Sequence, residues 1–228
     1  MIQQYGWATG GHADITSSSP LRIHNPATTG KIVVLNGFPG TGKLTILKKA
    51  KALFPENKSC LLDNHLLIDP VEAVIPGRSD EHHELRRQVR APIFAKLAER
   101  ARNGCIVFMT ACLAENNMRD AAFLEEHLDL VRGADVPIFW VNAHCHPAVL
   151  EQRLTSSERC NGSKTKLTDV DVLRDLLRKH RLIVPEGPSD DSSVLLLLVR
   201  TLDVSGPVEQ SVSHLMDAIG CPSGGVSA

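Results

Sequence analysis

Apolar residues along the chain fall into two kinds of segment, which alternate and predict strands and helices in turn. The first kind is a short, nearly continuous apolar run, typical of a strand buried on both faces. These runs lie at 32–36, 59–62, 105–112, 136–141 and within 194–203. The second kind carries apolar residues at helical spacing and lies at about 43–54, 80–102, 116–131, 147–156, 169–180 and 205–219. This alternation predicts an α/β fold with three layers, in which helices cover both faces of a five-stranded, mainly parallel sheet.

Proline and glycine residues refine several of these boundaries. Pro92 interrupts the long helical segment 80–102, so either a kink or two separate helices is expected there. Segment 70–80 contains a Pro-Gly pair and is predicted to be a loop. Near the end of the chain, Ser205 is predicted to cap the last helix, with Pro207 in its first turn.

A glycine-rich segment separates the first predicted strand from the first predicted helix. It consists of Gly37, Phe38, Pro39, Gly40, Thr41, Gly42, Lys43, Leu44 and Thr45. A strand, a glycine loop and a helix form the context that a phosphate-binding P-loop requires. The glycines let several N–H groups point at one anion, the helix adds the positive end of its dipole, and Lys43 can reach the terminal phosphates. A glycine-rich turn that binds nothing is the alternative, and the agreement between motif and context argues against it.

The position directly after the lysine departs from the usual P-loop pattern, because it holds Leu44 and the hydroxyl comes one residue later, at Thr45. This loop resembles that of adenylate kinases and other nucleoside monophosphate kinases, which read Gly-x-Pro-Gly-x-Gly-Lys-Gly-Thr. Pro39, Gly40 and Thr45 match that version, and Leu44 replaces one of its glycines. The resemblance implies a P-loop NTPase-type fold, ATP and Mg²⁺ as cofactors, and Thr45 as a magnesium ligand. It points away from GTPases and motor ATPases.

Asp63 closes the second predicted strand, at the edge where parallel sheets bind their ligands. Here the chain resembles shikimate kinases and chloramphenicol phosphotransferases, which carry an aspartate at the end of this strand. The resemblance implies that Asp63 is the catalytic base or an anchor for the acceptor, and a carboxylate there could also hold Mg²⁺ through water. The alternative is a cap for a turn or helix. His65 is expected to line the acceptor pocket.

Four arginines are further candidates for the site. Arg86 and Arg90 share a helix face and could clamp a carboxylate or phosphate of the acceptor, unless they form a solvated face paired with acidic neighbours. Arg153 and Arg159 flank the start of a polar segment at about 155–168. That segment resembles the small lid of nucleoside monophosphate and shikimate-type kinases. The resemblance implies that both arginines close over the phosphates during catalysis, and an ordinary basic loop is the alternative.

The third predicted strand lacks a residue that many P-loop ATPases place at this point. It ends near Thr110 and carries no acidic side chain to bind Mg²⁺. Thr45, Asp63 and water are therefore the candidate ligands. The tripeptide at 144–146, His-Cys-His, has zinc-binding residue types, but three adjacent positions seldom converge on one ion. We expect a strand-to-helix loop there.

Composition and charge exclude several classes of protein. Lys plus Arg number 25 against 26 for Asp plus Glu, a balance that argues against a large nucleic-acid surface. No apolar run approaches the ~20 residues of a membrane span, and no signal peptide is apparent. Six cysteines without a Cys-x-x-Cys pair favour a reducing, cytoplasmic compartment. We expect an N-terminal arm at 1–30, a kinase domain at 31–220 and a flexible tail at 221–228.

These features predict an ATP-dependent kinase that phosphorylates a hydroxyl of a small-molecule acceptor. Two alternatives stay open, a nucleoside monophosphate kinase and a regulator that binds ATP without transferring phosphate. The regulator would fit the missing acidic residue on the third strand and the leucine at position 44. An RNA-processing kinase would need a basic channel, which the near-neutral charge does not favour.

Overall fold

Five parallel strands form the central sheet of the computed structural model, which describes residues 30–155, 167–187 and 195–221. The strands are β1 (Lys31–Asn36), β2 (Ser59–Leu62), β3 (Ile106–Ala111), β4 (Ile138–His144) and β5 (Leu197–Asp203). Their order across the sheet is β2-β3-β1-β4-β5, and each neighbouring pair is parallel. The predicted five-stranded parallel sheet is confirmed, and all strand carboxyl ends meet at one edge.

Seven α-helices within the described ranges surround this sheet. They are α1 (Lys43–Lys51), α2 (His65–Val74), α3 (Asp80–Arg102), α4 (Met118–Leu128), α5 (Pro147–Leu154), α6 (Val170–Lys179) and α7 (Val208–Ala218). Successive residues of β1 point to opposite faces, so Ile32 and Val34 pack with α3 and α4, whereas Val33 and Leu35 pack with α1 and α7. The sheet is therefore covered on both sides, which confirms the three-layer α/β prediction. No helix in the described ranges is long and apolar enough to span a bilayer.

The predicted loop at 70–80 is wrong for its first half, because α2 begins two residues after Asp63 and continues to Val74. Pro70 lies inside this helix and removes one backbone donor. Leu67 and Val71, four residues apart, are both buried, and this apolar face holds the helix in place despite the proline. Only the short stretch from Ile75 to Ser79 is left as a connection to α3.

Two further boundary predictions differ from the structure. The possible division of segment 80–102 is wrong, since α3 is one helix of 23 residues that contains Pro92. Buried residues on both sides of the proline, including Arg90 and Phe94, keep the two halves packed on the same layer. The last helix has Pro207 at its N-cap, so Ser205 is not the cap. Its hydroxyl instead donates to Asp203 Oδ1 at 2.6 Å and accepts from the backbone N–H of His146 at 2.9 Å.

His127 of α4 is the one imidazole at the centre of an aromatic cluster in the described core. Its ring centroid lies 4.5 Å from that of Phe123, 5.2 Å from Phe94 and 5.7 Å from Trp140. The Nδ1 of His127 lies 2.7 Å from the Phe123 carbonyl oxygen, which makes it the ring nitrogen that donates. Burial disfavours the charged imidazolium and lowers the pKa of His127 to about 4.

We expect the free energy of unfolding to fall as the pH drops from 6.5 towards 4. In this pH window the unfolded chain takes up a proton on His127 and the folded chain does not. The contribution of the neutral His127 to the free energy of unfolding is therefore complete above the unfolded pKa, and it is lost as the pH falls from there towards the folded pKa. The difference between the unfolded pKa of 6.5 and the folded pKa of about 4 corresponds to about 3 kcal/mol in the free energy of unfolding. Urea unfolding at several pH values measures it. His127→Leu should flatten the slope and exposed His214→Gln should not; an unchanged slope in His127→Leu would refute the assignment.

Candidate functional site

The P-loop, residues 37–42, leaves the end of β1 and turns directly into α1. Gly40 and Gly42 have φ angles of +91° and +77°, a left-handed conformation that side chains other than glycine rarely adopt. Thr41 Oγ1 donates to the Phe38 carbonyl at 2.8 Å and closes the turn from inside. No side chain caps the N-terminus of α1, and its first turn carries no acidic residue. The loop and helix therefore present backbone N–H groups to an anion.

Lys43 is the first residue of α1, and its side chain folds back across the loop. Its ammonium donates to the backbone carbonyls of Gly37 and Phe38, the latter at 3.1 Å, and to Thr41 Oγ1 at 3.3 Å. These contacts hold the positive charge at the mouth of the P-loop, where the terminal phosphates of a nucleotide would lie. Thr45, in the first turn of α1, is exposed and lines the same opening.

One cleft of about 780 Å³ runs from the P-loop along the carboxyl ends of β3 and β2 to α3 and α4. Its wall contains most of the site residues that the sequence predicted. These are Pro39, Gly40, Gly42, Lys43, Leu44, Thr45, Asp63, His65, Arg86 and Arg90. The structure thus brings the predicted phosphate site and the predicted acceptor site together in a single opening; the roles of the individual side chains stay predictions.

Asp63 directly follows β2 and is buried, with 5 % of its surface exposed. Its Oδ1 accepts from the Thr110 hydroxyl at 3.2 Å and from the His65 backbone N–H at 3.3 Å. Thr110 Oγ1 also accepts from the backbone N–H of Asn64 at 2.9 Å, so the end of β3 fixes the turn after β2. Because β3 lies between β1 and β2, Asp63 faces the P-loop from two strands away.

The two arginines predicted on α3 have different surroundings. Arg90 is 7 % exposed and donates to both carboxylate oxygens of Glu126, at 2.8 and 2.6 Å, while its guanidinium lies 4.0 Å from the centroid of the Phe123 ring. Arg86 is half-buried. Burial, followed by the positive charges of Arg90 and Arg78, lowers the pKa of Arg86 to about 10. Arg90 is thus neutralised by a protein carboxylate, and the charge of Arg86 is not.

Of the two arginines predicted to close from a lid, Arg153 lies away from the cleft that Arg86 and Arg90 line. Arg153, near the end of α5, donates to the backbone carbonyls of Val204 at 2.8 Å and Gly206 at 3.0 Å. It lies outside the wall of the cleft as far as the described chain shows, and ties α5 to the loop after β5. Its closure over the phosphates stays a prediction. Arg159 and most of the predicted lid lie outside the described residues. The same holds for the predicted arm at 1–30 except residue 30, and for the predicted tail at 221–228 except residue 221.

His144 is the last residue of β4, and only Cys145 and His146 connect this strand to α5. The sequence analysis predicted that His144, Cys145 and His146 all follow the strand, so the predicted end of the strand at residue 141 was too early. The backbone of β4 continues because it pairs with β5 up to the His144–Asp203 position.

A buried pair of asparagines beneath the cleft was not predicted. Asn36 Nδ2 donates to Asn142 Oδ1 at 2.9 Å, and Asn36 Oδ1 accepts from the backbone N–H of Leu113 at 2.8 Å. Asn142 Nδ2 donates to the Ile183 carbonyl at 3.0 Å, and Trp140 Nε1 donates to Asn142 Oδ1 at 3.2 Å. The pair therefore joins the residue before the P-loop to the chain after β3 and to the segment after α6. The sequence signal for this pair was one asparagine at the end of each of two apolar runs, at Asn36 and at Asn142.

Replacing Asn142 with alanine should lower the free energy of unfolding by roughly 2–3 kcal/mol. The substitution removes the three buried hydrogen bonds that Asn142 makes with Asn36 Nδ2, Trp140 Nε1 and the Ile183 carbonyl. Asn36 Nδ2 then has only the Leu113 carbonyl as acceptor, and polar groups that lose a partner inside the core are expensive to bury. Urea unfolding gives the difference. Exposed Asn57→Ala serves as the control and should stay within about 0.5 kcal/mol of the parent chain. A loss for Asn142→Ala no larger than for this control would contradict the network.

Comparisons with known proteins agree with this geometry. A family model described as chloramphenicol phosphotransferase-like protein matches residues 30–182. No curated protein matches the chain. Among solved structures, the chain is similar to a sugar kinase from a Janibacter species, with a TM-score of 0.56, 13% identity, and coverage of 87% of this chain and 99% of that one. It is also similar to a putative kinase from Chloroflexus aurantiacus, with a TM-score of 0.54, 14% identity, and coverage of 83% of this chain and 98% of that one. A third similar structure is a tunicamycin resistance protein from Deinococcus radiodurans, with a TM-score of 0.51, 16% identity, and coverage of 84% of this chain and 96% of that one.

At these identities the structural similarities establish the fold alone, and the family model carries the assignment. The matched residues extend from the start of β1 through α6, and so include the P-loop, Asp63 and the helices α3 and α4 that line the cleft. The chain therefore belongs to the chloramphenicol phosphotransferase-like family and is a small-molecule kinase of the P-loop type.

Proposed function

We propose that this kinase transfers the γ-phosphoryl group of ATP to a hydroxyl group of a small-molecule acceptor. The nucleotide phosphates would lie on the P-loop, and the acceptor would lie between Asp63 and the face of α3. The single observation that carries this proposal is the continuous cleft, in which Lys43 and Asp63 both line the same opening. Ligands of parallel α/β sheets bind at this edge.

Asp63 is suited to receive the proton of the acceptor hydroxyl. Thr110 and the His65 N–H both donate to Oδ1, so the carboxylate is held in one orientation. The acceptor oxygen forms a bond to the γ-phosphorus, the bond from that phosphorus to the bridging oxygen breaks, the hydroxyl proton passes to Asp63, and ADP leaves. Lys43 stabilises the negative charge on the transferring group and on the leaving phosphate.

Mg²⁺ fits the donors that face the cleft. Magnesium prefers oxygen ligands and usually takes one or two from the protein, with water and phosphate oxygens completing its shell. The Thr45 hydroxyl is such a donor on the wall of this cleft, and the Asp63 carboxylate on the same wall would hold a water of the magnesium shell rather than the ion itself. The described residues contain no group of three or more His, Cys, Asp or Glu side chains that would form a site for another metal. When bound, Mg²⁺ would neutralise phosphate charge beside Thr45.

A panel assay tests this proposal and separates its rivals. Purified protein is incubated with ATP, Mg²⁺ and either alcohols (sugars, hydroxy acids and hydroxylated antibiotics) or nucleoside monophosphates, and ADP formation is recorded. We expect ADP formation that depends on an alcohol. Turnover with nucleoside monophosphates alone would identify a nucleoside monophosphate kinase. ATP binding without turnover on any acceptor would favour a regulator.

A further inference from the structure

The face of α3 that lines the cleft carries two enclosed nitrogen atoms without a hydrogen-bond partner among the described residues. They are Nε2 of His83 and Nε of Arg86. The two residues are three positions apart on one helix, so their side chains are neighbours on its surface. Both line the cleft, and Arg78, in the connection before α3, lies on the same wall. Enclosed polar atoms normally have partners, and a ligand in the cleft would supply them here.

Neighbouring charges are largely engaged with one another. Besides the Arg90–Glu126 pair, Arg119 pairs with Asp80 at 2.6 Å, and Arg87 pairs with Glu84 at 2.7 Å. Within the described chain, Arg86 and Arg78 form no such ion pair.

The carboxylates whose charge acts on Arg86 accept hydrogen bonds from other donors. The carboxylates of Asp120 and Glu126 act on Arg86 only through space. Asp120 Oδ2 accepts from the backbone N–H of Ala114 at 2.9 Å, and both oxygens of Glu126 are held by Arg90. The wall therefore has positive charge that no protein anion contacts directly.

The effect of this charge is evident at His83. Burial lowers the pKa of the imidazole, and the positive charges of Arg119, Arg86 and Arg78 lower it further. His83 is consequently neutral at pH 7, and a neutral imidazole can still donate one hydrogen bond. An anion placed here would meet a guanidinium with a free Nε and a second potential donor one turn away, an arrangement that favours carboxylate or phosphate groups.

We propose that His83, Arg86 and Arg78 form a subsite for an anionic group of the acceptor, so that the substrate is a hydroxyl compound that also carries a carboxylate or phosphoryl group. The inference rests on the proposed function, because it takes the other end of the same molecule to be the hydroxyl beside Asp63. Arg86 supplies the direct contact and fixes the orientation of the acceptor. Arg90, held by Glu126 and stacked on Phe123, supports this wall and does not bind the anion.

Calorimetry on the nucleotide-saturated protein tests this subsite. Mg²⁺ and a non-hydrolysable ATP analogue first fill the P-loop, so that it cannot bind the probes. Inorganic phosphate and acetate are then titrated separately, and the tighter probe identifies a phosphoryl or a carboxylate ligand. We expect saturable binding of at least one probe. Arg86→Gln should weaken it at least tenfold, and Arg86→Lys, which keeps the charge without the Nε donor, should weaken it less. Arg102→Gln, an exposed position in the last turn of α3, makes the same charge change and should leave the affinity within about twofold.

Two results would overturn the subsite, namely no saturable binding of either probe, or binding that Arg86→Gln leaves unchanged. Circular dichroism of each variant, together with its retained affinity for the ATP analogue, shows whether it is folded. Failure of the parent chain to bind the nucleotide analogue is a separate result and would contradict the proposed function itself. The two failures are therefore distinguishable in one experiment.

Discussion

Lys43→Ala is expected to reduce the rate of phosphoryl transfer by about 100- to 1,000-fold. The lysine ammonium is the positive charge that the structure holds across the P-loop, on the carbonyls of Gly37 and Phe38. Nothing in an alanine side chain replaces this charge when negative charge develops on the transferring group. Steady-state ADP formation with an active acceptor measures the loss.

Lys48→Ala is the matched control for this experiment, because Lys48 is an exposed lysine on the same helix and lies outside the wall of the cleft. It should keep a rate within about twofold of the parent. If Lys43→Ala retains the full rate while the control behaves as expected, the phosphate site has been misplaced.

Asp63→Asn is expected to lower kcat by about 100- to 10,000-fold while the affinity for ATP changes little. The amide keeps the size of the side chain and can still accept from Thr110 and from the His65 N–H, so the turn after β2 should survive. An amide cannot take a proton from the acceptor hydroxyl. Steady-state kinetics give kcat, and calorimetry with the ATP analogue gives the affinity.

Exposed Asp129→Asn, at the end of α4, is the control for removal of one negative charge and should leave both quantities unchanged. An equal loss of kcat and of nucleotide affinity in Asp63→Asn would make Asp63 a magnesium-binding or structural residue. An unchanged kcat would remove it from the mechanism altogether.

Local patterns in the sequence were sufficient to predict the sheet and the P-loop. Four of the five β-strands lie in apolar runs, and β5 begins with one before Arg200. The glycines that bend the loop stand at fixed spacing from Lys43, so both signals are contained within a few adjacent residues. Asp63 could be placed for the same reason, because a parallel strand brings its last residue to the ligand-binding edge. Helix α2 was missed because the Pro-Gly pair in segment 70–80 favoured a loop, whereas the burial of Leu67 and Val71 keeps the chain helical up to Val74.

Pairings between distant residues could not be derived from one sequence. Arg86 and Arg90 are equivalent on a helical wheel, and only the fold shows that Glu126, 36 positions away from Arg90, neutralises one of them. The Asn36–Asn142 contact is a similar case, since it spans 106 positions. The position of Arg153 against the loop after β5 likewise depends on how α5 packs.

The proposed reaction moves the terminal phosphoryl group of ATP to a hydroxyl of a bound small molecule. Its most direct test is ³¹P NMR of a complete reaction that contains the protein, ATP, Mg²⁺ and an acceptor found active in the panel assay. We expect a new phosphate monoester resonance that grows in step with ADP, and growth at least about 100-fold slower when Lys43→Ala replaces the parent protein. ADP accompanied by inorganic phosphate alone, with no ester at any time, would show that the protein hydrolyses ATP and does not phosphorylate the acceptor.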